Sequence, residues 1–90
     1  MAPFKSVRRS ITVGNIAVYV MPPNPDRLGA TIYSDGNGDC FIALGDGISL
    51  TDFTLRMSGN DYIEIPFGYT GVVTAIRKSG SCVLRVSELT

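Results

Sequence analysis

Leu28-Gly29-Ala30-Thr31-Ile32-Tyr33-Ser34, then Asp35-Gly36-Asn37-Gly38, then Asp39-Cys40-Phe41-Ile42-Ala43-Leu44: two extended runs around one polar turn decide how the chain reads. Period-two alternation puts Ala30, Ile32 and Ser34 on one face of the first run, with Thr31 and Tyr33 on the other. In the second run Cys40, Ile42 and Leu44 share a face. Asn and Gly accept the positive φ of tight turns, so the segment predicts a central β-hairpin. On that basis Gly38→Val should disturb the hairpin, because a β-branched residue resists positive φ.

The same grammar extends both ways. Val7 to Val13 alternates loosely and meets Gly14-Asn15, a turn signal that predicts a first hairpin with Ile16 to Met21. Pro22-Pro23-Asn24-Pro25 then ends extended structure, since proline removes donors and fixes φ. This stiff corner is expected to carry the chain from one sheet to another. Downstream, Leu50–Met57, Tyr62–Ile65, Val72–Arg77 and Cys82–Val86 read as further short strands. They are separated by Ser58-Gly59-Asn60-Asp61, by the Phe67-Gly68-Tyr69-Thr70-Gly71 corner and by Lys78-Ser79-Gly80-Ser81. About eight short strands with frequent turns predict one all-β domain, a small antiparallel β-sandwich or jelly-roll-like barrel over residues 10–90.

Ninety residues with 44% apolar content support one modest core, and small domains often gain stability by oligomerising. The formal net charge is zero, so a nucleic-acid partner is not indicated. Lys5, Arg8 and Arg9 nevertheless precede the first acid, Asp26. Residues 1–9 are therefore expected to be a basic N-terminal arm, either a solvated tail or an arm that docks on an acidic neighbour or a nucleic-acid backbone. No apolar run approaches a membrane span and no signal peptide is read, so a soluble chain made in a reducing cytosol is expected. There, Cys40 and Cys82 would be buried free thiols, pairing only if their Cα atoms lay within about 7 Å.

Chemistry is hard to place on these residues. The chain has no His and no Trp, and a nucleophile needs an adjacent base. Only Lys5 or Lys78 could serve, so no enzyme, catalytic residue or cofactor is expected. Asp35, Asn37, Asp39 and Asp46 imitate the offsets of a calcium loop. Cys40, however, stands where that loop needs Gly, and the flanks read as strands, so no metal site is expected. Arg27, just after the proline corner, is either an exposed turn residue or a structural arginine. In the second case its five donors would satisfy carbonyls the corner leaves unpaired. Tyr69 is either packed with its hydroxyl bonded or an exposed anchor.

Three stretches then carry a resemblance: Asn24-Pro25-Asp26-Arg27 leading into the Leu28–Ser34 run, Ile65-Pro66-Phe67-Gly68-Tyr69-Thr70-Gly71-Val72, and the closing Val83-Leu84-Arg85-Val86-Ser87-Glu88-Leu89. In this order they resemble small β-sandwich virion proteins of tailed bacteriophages, the capsid decoration (cement) and minor head proteins. The likeness covers residues 16–90. It implies a structural virion protein on the capsid surface, made in the host cytoplasm, that binds the major capsid protein and self-associates as a trimer or dimer. Lys5, Arg8, Arg9, Arg27 and Tyr69 are the expected capsid or subunit contacts. A head–tail connector or tail component is the nearest alternative. A glycan- or cell-surface-binding β module is a third, for which Tyr33, Tyr62, Phe67 and Tyr69 would have to form an exposed row.

Overall fold

The computed structural model describes residues 5–90. Eight strands form: β1 (Ser6–Val13), β2 (Val18–Met21), β3 (Gly29–Ser34), β4 (Asp39–Leu44), β5 (Leu55–Met57), β6 (Tyr62–Ile65), β7 (Val73–Ser79) and β8 (Cys82–Leu89). They make two four-stranded antiparallel sheets, ordered β1-β8-β3-β6 and β2-β7-β4-β5. This is the interleaved order of a jelly roll, and the all-β sandwich expected from the alternation is what forms. Among the described residues there is no helix, and so none long and apolar enough to cross a membrane.

Every strand-to-strand connection except β4 to β5 crosses between the sheets. Both expected hairpins are therefore absent. β1 pairs with β8 rather than β2, and β3 pairs with β6 and β8 rather than β4. The turn residues are where alternation places them, but they make corners that pass over the sandwich rim. Local φ/ψ preference marks a reversal without saying which sheet receives the next strand. The proline corner does cross from sheet to sheet, as its stiffness suggests.

The faces follow the alternation. Ile32, Ile42, Leu84 and Val86 bury inward from both sheets, with Met21, Met57, Val73 and Ala75 filling the space between. On β4 the outward residues are apolar too: Phe41 and Ala43 lie under the β4–β5 loop with Ile48, against Ile76. The unbroken run Cys40–Leu44 thus belongs to a strand covered on both faces.

Two further expectations change. The basic arm does not extend to residue 9, because Ser6–Arg9 open β1, paired in register with β8 from Ser6↔Leu89 to Val13↔Cys82. β8 offers a free edge eight residues long, and Ile11 and Val13 reward its pairing by burial. The part of the arm before residue 5 lies outside the described residues. The cysteines are not free thiols: Cys40 and Cys82 form a disulfide joining β4 of one sheet to β8 of the other, with Cα atoms 6.1 Å apart. Both side chains point inward from facing sheets, which places them inside the separation a disulfide spans.

Candidate functional site

The three stretches that carry the resemblance meet at one end of the sandwich. Asn24 opens a turn in which its Oδ1 accepts the Asp26 N–H at 3.0 Å and its carbonyl accepts the Arg27 N–H at 3.1 Å. This Asx-type turn aims the Arg27 side chain inward. The guanidinium is buried, 2% exposed, and its donors are distributed over all three segments. Nε donates to Glu88 Oε2 at 2.7 Å, and Nη1 donates to the Gly71 carbonyl at 2.6 Å and the Tyr69 carbonyl at 3.3 Å. Nη2 donates to the Pro22 carbonyl. From the edge strand, Arg9 Nη2 adds a bond to Glu88 Oε1 at 3.1 Å.

This clasp follows from the sequence. Prolines at 22, 23 and 25 and glycines at 68 and 71 strip the two corners of regular pairing, so their carbonyls turn to a side chain. Only a guanidinium offers enough fixed donors, and Glu88 neutralises it. Arg27 is thus the structural arginine, one of the two readings of its position. It is not a contact residue, because nothing outside the molecule can reach it. Tyr69 likewise turns inward, packing on the core and donating its hydroxyl to the Val72 carbonyl at 2.7 Å. Part of its ring stays at the surface, and its role as a contact remains an expectation carried by the resemblance. Lys5 and Arg8 are exposed, whereas Arg9 is half-buried and tied to Glu88.

The other candidates separate. Asp35 pairs with Arg85 at 2.9 Å, Asp39 accepts the Ser58 hydroxyl at 2.9 Å, and Asp46 accepts the Tyr19 hydroxyl at 3.0 Å beyond the far end of β4. That last bond and the charge of Asp46 raise the Tyr19 pKa above its ordinary value. Among the described residues no group of three or more His, Cys, Asp or Glu gathers to hold a metal ion. Of the four aromatics proposed as a row, Tyr33 and Tyr62 are cross-strand partners on the exposed face of the first sheet. Phe67 lies past Pro66, 80% exposed, and Tyr69 is half-buried against the core with its hydroxyl bonded.

One surface escaped the sequence. Phe53 stacks on Phe41 with ring centroids 3.9 Å apart, and Leu50 stands beside them, leaving an apolar notch rimmed by Arg56 and Lys78. The Lys78 ammonium lies 6.0 Å from the Phe41 ring centre. The signal was the apolar outer face of β4, which needs a cover that the polar 45–52 loop supplies only in part.

No protein-family model matches the sequence, and no curated protein matches it. Among solved structures, the chain is similar to one described by the words "Bacillus endospore appendages form a novel family of disulfide-linked pili". The TM-score is 0.66 at 13% identity, over 97% of this chain and 83% of that one. At that identity the likeness shows a shared fold, reached from a different sequence.

Proposed function

We propose that this protein is a structural virion protein that coats and strengthens a bacteriophage capsid by binding the major capsid protein, with no catalytic role. The observation that carries this is the convergence of the three resembling stretches on one buried clasp. Asn24-Pro25-Asp26-Arg27, Tyr69-Thr70-Gly71 and Val86-Ser87-Glu88 are held together by Arg27. The three stretches lie far apart in sequence and are joined here into a single structural device. A coat module needs a stiff body, and the clasp and the cross-sheet disulfide both stiffen this one. Its disulfide suits a particle that spends its working life outside the reducing cytosol. Lys5, Arg8 and the Phe41–Phe53 notch are among the surfaces left to meet a shell or a neighbouring copy.

The test is co-sedimentation of the purified, oxidised chain with phage capsids lacking their decoration protein. Saturable binding is expected. A folded chain that stays in the supernatant at every concentration would refute the proposal. A second reading, a subunit of an extracellular appendage, is favoured by the jelly-roll match to a pilus protein over almost the whole chain. Fibres assembled by the chain alone, without shell binding, would favour it.

A further inference from the structure

We propose that copies of this chain join side by side, β1 of one copy pairing antiparallel with β6 of the next so that the first sheet runs on from subunit to subunit. This rests on the structural-subunit reading and names its partner, a second copy.

The backbone sets the phase. Lys5 and Thr90 exchange both backbone hydrogen bonds, at 3.2 and 2.9 Å. Antiparallel alternation then turns the backbone groups of Val7, Arg9, Ile11 and Val13 toward β8. Those of Ser6, Arg8, Ser10 and Thr12 point outward at the sheet edge. At the opposite edge the Ser34 N–H donates to the Asp61 carbonyl at 2.8 Å. The same alternation turns Ile63 and Ile65 toward β3 and leaves Tyr62 and Glu64 facing out. β1 and β6 run in opposite senses, since three antiparallel pairings separate them. Two copies in the same orientation therefore present antiparallel edges, with the outward-bonding residues of both on the exposed face.

The other edges are blunted. β2 has four residues and runs into Pro22-Pro23, and β5 has three. β6 is also four residues ending at Pro66, so it offers two outward-bonding residues, Tyr62 and Glu64. β1 has eight residues and no proline, and its inward-pointing charge, Arg9, is already neutralised by Glu88 of its own copy. Charge then selects the partner. Pairing Arg8 with Glu64 of the next copy brings Ser10 opposite Tyr62 and sets a cation against a carboxylate. Among the described residues Arg8 has no ion pair. Pairing β1 with another β1 would instead crowd Lys5, Arg8 and Arg9 of both copies, which is unfavourable across strands. The contact is heterologous, so it closes into a ring or continues as a row according to the rotation between copies.

Sedimentation of the purified full chain over a concentration series, without capsids, tests this. Association is expected. Arg8→Glu and Glu64→Arg should each weaken it about tenfold, and the double variant should restore it. Amide exchange should show Arg8 and Ser10 gaining protection on association. A monomer throughout, or single variants that associate like the parent, would overturn the proposal. A chain that coats capsids as a monomer would refute this contact and leave the function standing, and one that associates through this edge but ignores capsids would do the reverse.

Discussion

Arg27 concentrates more of the molecule's organisation than any other residue. Its guanidinium is buried with Glu88 and carries the carbonyls of both corners. Arg27→Met would strand a buried carboxylate and several carbonyls, and should cost about 3–5 kcal/mol in urea denaturation. Arg27→Lys should recover little, because an ammonium cannot span the same fork of acceptors. The double variant Arg27→Met/Glu88→Leu should lose less than Arg27→Met alone, since removing both charges leaves neither unpaired. Equal losses would show that Glu88 is satisfied without Arg27. Donor count and the neighbouring prolines made a structural role legible at Arg27. Its distant acceptors were not legible, because Glu88 reaches it only through the pairing of β8 with β3, and Tyr69 and Gly71 only through that of β6 with β3.

Elements show the same division. Alternation located all eight strands and most of their inward faces, because a side chain's face depends on neighbours one or two residues away. Partners were misassigned wherever a turn signal was taken for a hairpin. Gly38 illustrates the difference. It has no positive φ, unlike Gly45, Gly47, Gly68 and Gly80. Instead a Cβ there would collide with the Ser79 carbonyl and the Gly80 backbone, where the β3–β4 corner crosses the β7–β8 corner. The expected damage from Gly38→Val stands, but its cause is close backbone approach. Gly38→Ala should therefore also destabilise, by about 1–3 kcal/mol or more. Gly14→Ala, where a Cβ meets nothing within 4 Å, should be nearly neutral. Thermal melts of the two variants separate the causes: an undisturbed Gly38→Ala would remove the crossing as the constraint.

For the whole molecule, the two sheets are joined at one end by the Arg27 clasp and covalently by Cys40–Cys82. The disulfide closes 42 residues of chain, worth about 4 kcal/mol through the unfolded state. Denaturation with and without reductant should show a loss of that order, and superimposable curves would contradict it. Composition could not reveal the pairing, because two cysteines in separate strands meet only once the sheets are stacked. A body braced in this way strengthens whatever it bridges only if it binds at several points without deforming. The proposed partner is a capsid, and the direct measurement is calorimetry of undecorated phage shells with and without saturating protein. Bound protein and a raised melting temperature of the shell are expected. Shells that melt unchanged in the presence of the folded chain would contradict it.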